Sequence, residues 1–319
     1  AAATVIEVNI SRDNDNGAPK FNLSASDNGT GMPPRVLRLA LQFGGTTRYN
    51  SRKSFGRYGM GLPNSSMSQC RRLEVYSWRK PNVVNWNYLD IDEVVAGSYV
   101  DIPPSKRKPL PKQFRLKYKS GTVIIWKKID RLGFKLLKPL EKKLHLELGK
   151  VYRKPLLSGK RIRINNKSLE PFDPLYLDVN PYFGQAKQYG TPMLLKIRKD
   201  KKYSTVKVKF SELPLDKWSP LKNIEKRRMG ITKNAGVSVL RNGREIDYGW
   251  FFMGAKRKEN YDDWWRCEVS FDPELDEYFG VTHTKQTINP NDILNSILRP
   301  HIEAAAHKLH NRVREKFIA

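Results

Sequence analysis

The chain has 319 residues and a formal net charge of +27, the excess of 59 lysines and arginines over 32 aspartates and glutamates. This length allows two domains with separate cores. The charge favours a polyanionic partner such as nucleic acid, with a solvated basic surface or an acidic protein partner as alternatives. Two distant cysteines without a CxxC motif exclude a disulfide framework and favour a reduced, cytoplasmic protein. The sequence contains neither a bilayer-spanning apolar run nor a signal-peptide pattern.

The first chemically informative stretch follows two predicted strands. Alternating side chains predict strands over residues 4–10 and 21–26, separated by a turn-rich segment. The second strand leads into Asp27-Asn28-Gly29-Thr30-Gly31-Met32, and a helix is predicted from Pro34 to Leu41. Glycines directly after a carboxylate allow the backbone to approach a ligand closely. The stretch therefore predicts a binding loop between a strand and a helix.

A second glycine-rich stretch precedes another predicted helix. Residues 44–58 are polar, basic and glycine-bearing, which favours a mobile loop. The end of this loop overlaps the glycine-rich run Gly56-Arg57-Tyr58-Gly59-Met60-Gly61-Leu62. Free N–H groups at the start of a helix can bind phosphates. The basic side chains of this loop either contact phosphate or are solvated, and the sequence leaves both open.

Further strands are predicted over residues 72–78, 83–89 and 120–126, and the last of them contains Gly121-Thr122. Residues 101–160 hold 18 Lys/Arg against 4 Asp/Glu, about half of the net charge. This is the best candidate for a surface that faces nucleic acid, and a solubilising loop is the alternative. The segment shows no pairing of aromatic and basic residues of the kind that single-strand platforms use.

The second half mixes helices and strands. A helical pattern covers residues 134–157, a hairpin follows at 161–167, and Asn242-Gly243 is a hairpin turn signal. Additional strands are predicted at residues 193–197, 203–210 and 237–241. An apolar stripe over residues 291–319 predicts a helix or helix pair, interrupted at Pro300.

The two glycine-rich stretches, in this order, resemble the GHKL ATPases, which share the Bergerat nucleotide fold. The sequence around them looks most like the MORC branch and its bacterial relatives. The resemblance implies an α/β protein of the α+β two-layer sandwich type. It implies a GHKL ATP-binding domain over residues 1–133, a transducer (ribosomal-protein-S5-like) domain over residues 134–290, and a C-terminal helical extension over residues 291–319.

The same resemblance implies roles for individual residues, with ATP and Mg²⁺ as cofactors. Asp27 would accept a hydrogen bond from the adenine amino group, and Thr122 would join it through a hydroxyl and a water. Lys285, in the segment from Gly280 to Ile288, would reach the γ-phosphate as the catalytic lysine. The rest of the implied pocket comprises Asn28, Gly29, Gly31, Met32, Gly56, Arg57, Tyr58, Gly59, Met60, Gly61 and Leu62.

The implied function is an ATP-binding and ATP-hydrolysing switch. Its closure and homodimerisation would clamp DNA or a partner protein, in genome maintenance, silencing or phage defence. The alternatives are a non-catalytic nucleotide-sensing module and a chaperone-like ATPase that acts on proteins. The family's N-box, with its catalytic glutamate and Mg²⁺-binding asparagine, would precede the first strand. We therefore assign no catalytic base and no metal ligand, and we expect the chain to be a fragment.

Overall fold

The computed structural model describes residues 2–15, 18–45, 59–178, 184–199, 202–281 and 287–318, with the backbone alone at 13–15 and 18–20. The chain is a mixed α/β protein, as predicted. It forms two compact units. The first comprises Ala1–Gly149 with Lys154–Pro171, and the second comprises Lys150–Arg153 with Phe172–Ala319.

The first unit is built on a sheet that has eight strands within the described residues, in the order β5-β4-β3-β6-β2-β1-β7-β8. Neighbouring strands are antiparallel except for β1 and β7, which are parallel. In chain order the strands are β1 (Val5–Asp15), β2 (Ala18–Asp27), β3 (Cys70–Trp78), β4 (Val84–Asp90), β5 (Lys106–Arg107), β6 (Gly121–Ile129), β7 (Arg161–Ile164) and β8 (Lys167–Ser168).

The first two strands are longer than the sequence predicts. Their ladder runs from the Ile6–Asp27 pair to the Asp15–Ala18 pair, so most of the turn-rich segment continues the hairpin. The β7–β8 hairpin turns at Asn165 and Asn166, whose φ angles of 46° and 65° suit asparagine in a tight turn. The sequence pattern predicts this hairpin in the second domain. In the structure β7 instead forms a parallel ladder with β1 of the first sheet.

Helices α1 (Pro34–Leu41) and α2 (Gly61–Met67) cover one face of the first sheet. Leu37 and Leu41 of α1 and Met67 of α2 pack with Leu73 and Val75 of β3. The proline at the first position of α1 suits a helix start because its missing N–H would have no partner there. The remaining helices of this part of the chain are α3 (Ile91–Val95), α4 (Leu137–Val151) and α5 (Arg153–Leu157).

The second unit has a sheet of five described strands in the order β12-β11-β13-β10-β9, with β11 and β13 parallel and the other pairs antiparallel. The predicted Asn242-Gly243 turn joins β11 to β12, and both residues have positive φ. The strands are β9 (Lys187–Lys199), β10 (Lys202–Glu212), β11 (Gly236–Arg241), β12 (Arg244–Gly249) and β13 (Trp265–Phe271), and the helices are α6 (Leu215–Trp218), α7 (Asn223–Met229) and α8 (Asp292–Ile318).

The predicted interruption at Pro300 is wrong, because α8 continues through this residue. The buried stripe Leu294, Leu298, Ile302 and Leu309 extends over both sides of the proline. These side chains belong to the core of the second sheet. Packing along the whole helix therefore offsets the loss of the backbone hydrogen bond that proline cannot donate.

The second unit also contains a buried ionic cluster. Arg153 is fully buried and donates to Glu245 of β12 (2.8 Å), to Glu268 of β13 (3.0 Å) and to the Ser238 hydroxyl of β11 (2.8 Å). Lys150 reaches the other oxygen of Glu245 at 3.1 Å. Two buried carboxylates are thus neutralised by cations from residues 150–153. No helix in the described residues is both long enough and apolar enough to cross a membrane.

Candidate functional site

The sheet of the first unit brings Asp27 and Thr122 together. Asp27 ends β2 directly opposite Thr122 of β6, and Thr122 lies opposite Ser77 of β3. Side chains at opposed positions of an antiparallel ladder project from the same face. This is the face that carries Val75 and the helices. Asp27, Thr122 and Ser77 therefore form a polar row at the end of an otherwise apolar face.

The Asp27 carboxylate is oriented by the loop that follows it. One oxygen, Oδ1, accepts a hydrogen bond from the Gly29 N–H at 2.7 Å. Burial raises the pKa of the carboxyl group, and this hydrogen bond partly opposes the effect. Within the described residues the other oxygen has no hydrogen-bond partner. It is therefore available as an acceptor, the group that the amino edge of adenine requires.

Thr122 is held by Ser77. The two hydroxyl oxygens lie 3.0 Å apart, and Ser77 Oγ also lies 3.1 Å from the carbonyl oxygen of Gly121. When Ser77 donates its single proton to that carbonyl, Thr122 donates to Ser77. The lone pairs of Thr122 then remain available for a water or a ligand. Thr122 and Ser77 are both buried.

The loop after Asp27 lies tightly on the sheet. Met32 N–H donates to Ser77 Oγ at 2.8 Å, and the Asn85 amide donates to the Met32 carbonyl at 3.1 Å. Gly31 has a φ of 65°, and a Cβ there would lie 1.9 Å from the carbonyl oxygen of Trp78. Only glycine fits this position, both by conformation and by space. The sequence analysis missed Ser77 and Asn85, although Ser77 is the polar residue that continues the apolar series Leu73, Val75.

Asn28 has a different environment from its neighbours. Its side-chain oxygen accepts the N–H groups of Thr4 (2.8 Å) and Val5 (2.9 Å), and its amide nitrogen donates to the Thr4 hydroxyl (2.8 Å). The side chain therefore fixes the start of β1 to the loop. Gly29, by contrast, is buried in the loop itself.

The second glycine-rich stretch is described from Gly59 onward. Gly59 has a φ of 66°, and a Cβ there would lie 2.3 Å from the carbonyl oxygen of Gly45. The two ends of the segment 46–58 are therefore in backbone contact, and a side chain at Gly59 would separate them. Met60 precedes α2, Gly61 begins it, and Leu62 packs against the helix-covered face. The predicted residues Gly56, Arg57 and Tyr58 lie outside the described residues.

Lys285 also lies outside the described residues. The residues on either side of its segment are fixed by local contacts in the second unit. Gly280 has a φ of 55° and its Cβ would lie 2.0 Å from the carbonyl oxygen of Asn289, while Ile288 N–H donates to Asp247 at 2.8 Å. In the described part of the chain, no three His, Cys, Asp or Glu side chains are placed to hold a metal ion.

The strand-end aspartate, the buried threonine and the tight glycine loop together form a polar site at the end of the helix-covered face. Residues 1–122 match the family model described as histidine kinase-, DNA gyrase B- and HSP90-like ATPase. This match supports the GHKL family for the first unit, and its last matched residue is Thr122. No curated protein matches the chain.

Proposed function

We propose that the chain is an ATP-driven switch of the GHKL class, closest to the MORC branch. The observation that carries the proposal is the polar row of Asp27, Thr122 and Ser77 beside the glycine loop. In the described structure one carboxylate oxygen of Asp27 has no hydrogen-bond partner, and Gly31 lets the loop pack tightly on the Trp78 backbone beside it. In this proposal Asp27 binds the adenine amino group, and Thr122 binds the same region through a water.

In the same proposal, the phosphates of ATP bind at the second glycine-rich stretch. In the described part of the chain, no side-chain hydrogen bond caps α2 at Met60, and the N–H groups of Gly61 and Leu62 are the ones we propose for phosphate binding. ATP supplies a γ-phosphoryl group whose presence distinguishes the closed state from the open one. Lys285 contacts that group, since a lysine ammonium stabilises charge on terminal phosphoryl oxygens. ATP thus shifts the population towards a closed, dimeric state.

The proposed object of the switch is nucleic acid. Residues 102–129 contain nine lysines and arginines and no acidic residue. Lys106, Arg107, Lys112, Arg115 and Lys119 are exposed, and none of the five pairs with a carboxylate in the described structure. Unpaired cations along one segment favour a phosphate backbone, with affinity that falls steeply as salt rises.

The test of the pocket is Asp27→Ala, with Asp216→Asn, an exposed carboxylate of the second unit, as the matched control. Loss of the adenine acceptor should weaken ATP binding at least about tenfold, because a buried hydrogen bond to a charged group contributes about 1.5–3 kcal/mol. Isothermal titration calorimetry measures this. Unchanged ATP affinity in Asp27→Ala would reject the pocket.

The test of the switch is Lys285→Ala, with the exposed Lys217→Ala as control. We expect ADP binding to persist while ATP hydrolysis falls strongly, since ADP lacks the γ-phosphate. Normal turnover in Lys285→Ala would remove the proposed role. A wild-type protein that binds ATP without hydrolysing it would instead indicate the nucleotide-sensing alternative.

A further inference from the structure

The face of the first sheet opposite the polar row carries a separate groove. It encloses a cavity of about 690 Å³. Its floor consists of cross-strand pairs between β1 and β2, Glu7 with Ser26 and Asn9 with Ser24. Because side chains alternate along a strand, Ser24 and Ser26 point away from the face that carries Asp27. The cavity reaches Asp27 where β2 ends.

Two walls enclose this floor. One wall is the segment 113–118, which is fixed because Phe114 packs with Tyr76 and Trp78 and the Tyr118 carbonyl accepts from Trp78 Nε1 at 3.0 Å. The other wall is the β7–β8 turn, where the Asn165 side chain is hydrogen-bonded to both the N–H and the carbonyl of Ile10. The groove therefore exists in the folded chain without any ligand to form it.

The floor presents polar groups that the protein itself does not use. Ser24 is only 8% exposed, lines the cavity, and makes no side-chain hydrogen bond within the described residues. Asn9 and Ser26 also have no such bond to the described chain. These hydroxyl and amide groups can therefore form hydrogen bonds with a ligand or with water at the floor of the groove. A floor of this kind suits a ligand with many hydrogen-bonding groups.

The residues that line the cavity supply positive charge and aromatic rings. Arg115, Lys117 and Lys127 line the cavity, against the single lining carboxylate side chain outside the polar row, Glu7. Lys117 is paired with Glu7 at 3.1 Å and Lys127 with Glu74 at 3.2 Å, so Arg115 is the lining cation that no carboxylate of the described chain balances. Phe114 and Tyr118, both partly exposed, stand next to these cations in the sequence. Such a wall suits an anionic ligand that carries planar groups.

We propose that this groove binds single-stranded nucleic acid. Cations for the phosphates, aromatic rings for base stacking and hydrogen-bonding side chains are the three components of single-strand sites. The cavity has room for roughly two nucleotides, within the size range of ligand sites. Phe114-Arg115 and Lys117-Tyr118 are neighbours in the chain, and the wall places all four residues at the cavity, which the sequence pattern alone did not predict. This inference deepens the nucleic-acid part of the proposed function and rests on it.

The test compares two double variants of equal charge. Arg115→Ala with Lys117→Ala alters the groove, whereas Arg227→Ala with Arg228→Ala removes the same charge from exposed positions of the second unit. Fluorescence anisotropy with a labelled oligothymidylate should show a loss of about tenfold or more for the groove variant and less than about threefold for the control. Tyr118→Ala should weaken binding about fivefold or more without changing the salt dependence, because stacking releases no counterions.

Three outcomes would overturn the inference: equal losses for the two double variants, displacement of the oligothymidylate by duplex DNA at equal concentration, or no binding by the wild type. ATP binding is measured on the same samples. If ATP binds and the oligothymidylate does not, the groove proposal fails while the ATP switch stands. If the groove variant alone loses the oligothymidylate and no sample binds ATP, the groove stands and the switch fails.

Discussion

At the scale of single residues, the candidate site depends on a few polar groups whose partners are fixed. Asp27 has one oxygen bound to the Gly29 N–H, and Thr122 is held by Ser77, which also accepts the Met32 N–H. Asn28 binds the start of β1 instead. The strand register thus brings two of the predicted residues together, and the neighbouring asparagine has a clear structural role, while adenine binding itself stays a prediction.

The buried carboxylate of Asp27 should give the unliganded protein a characteristic pH dependence. Burial raises its pKa above the ordinary value of 3.8, so the ionised form is less favourable in the folded protein than in the unfolded chain. Asp27→Asn should therefore raise the melting temperature near neutral pH. The gain should disappear as the pH falls through the raised pKa towards 3.8, where the wild-type carboxyl becomes protonated.

Asp92 provides a control of opposite sign. The Arg71 guanidinium, together with the Lys128 ammonium, lowers the Asp92 pKa to about 2. Its ionised form therefore favours folding above the unfolded pKa, and this contribution is lost on acidification. Asp92→Asn should lower the melting temperature at neutral pH, with a difference that shrinks as the pH falls. Differential scanning fluorimetry across this range measures both variants, and the same sign for both would contradict the argument.

At the scale of elements, the second unit contains two features that depend on long-range packing. The buried cluster around Arg153 joins three neighbouring strands, and α8 accommodates a proline because its apolar stripe packs along its whole length. Neither feature follows from local propensity. Both should be visible in unfolding experiments.

Removal of Arg153 should be strongly destabilising. Arg153→Met leaves Glu245 and Glu268 with one fewer cation in a buried site, which costs about 3–5 kcal/mol in comparable cases. Urea unfolding measures the loss, and Lys154→Met, its neighbour outside the cluster, should stay within about 1 kcal/mol. Arg153→Met combined with Glu245→Gln and Glu268→Gln should recover much of the stability. A combined variant as unstable as the single one would show that charge is not the cause.

Replacement of Pro300 should stabilise the protein, whereas replacement of Arg153 should destabilise it. In Pro300→Ala the residue can donate the N–H hydrogen bond that proline lacks, and the free energy of unfolding should rise by about 1–3 kcal/mol. For Ala304→Pro, at an exposed position of the same helix, the free energy of unfolding should fall by a similar amount. Guanidinium unfolding followed by circular dichroism tests the pair. A Pro300→Ala variant that is less stable than the wild type would indicate that the proline packs favourably.

At the scale of the whole molecule, the chain has two units, each with its own core, and predicted ATP contacts in both. The polar row lies in the first unit, and the segment that contains Lys285 belongs to the second. A net charge of +27 disfavours association of identical chains through self-repulsion. Dimerisation on ATP binding would therefore be stronger at higher salt or with a polyanion present.

Hydrogen–deuterium exchange distinguishes the two predicted contacts of the switch, the nucleotide at the polar row and the γ-phosphate at Lys285. ADP should protect residues 26–32 and 121–123, because it binds the polar row and its loop. A non-hydrolysable ATP analogue should add protection at residues 280–289, because it alone carries a γ-phosphate for Lys285. In Lys285→Ala the two nucleotides should give the same map. Identical maps for ADP and the analogue in the wild type would count against a γ-phosphate switch.

Most of what the sequence alone determined is local. The strand patterns predicted β1, β2, β3, β4, β6, β10, β11 and part of β9. The Asn242-Gly243 turn is present, and Gly31 is required where the motif places it. These features follow from backbone conformation and from short-range periodicity, which neighbouring residues specify by themselves. The GHKL resemblance, carried by the same local motifs, is supported over residues 1–122.

The tertiary structure decided everything that depends on residues distant in sequence. Strand register places Ser77 beside Thr122 and opens a groove behind the site, while core packing keeps α8 continuous through Pro300. A sequence pattern shows which face of a strand is apolar, but it does not show which strand becomes its neighbour. Pairing and packing are summed over the whole fold, so they can override a local signal such as a proline within a helix.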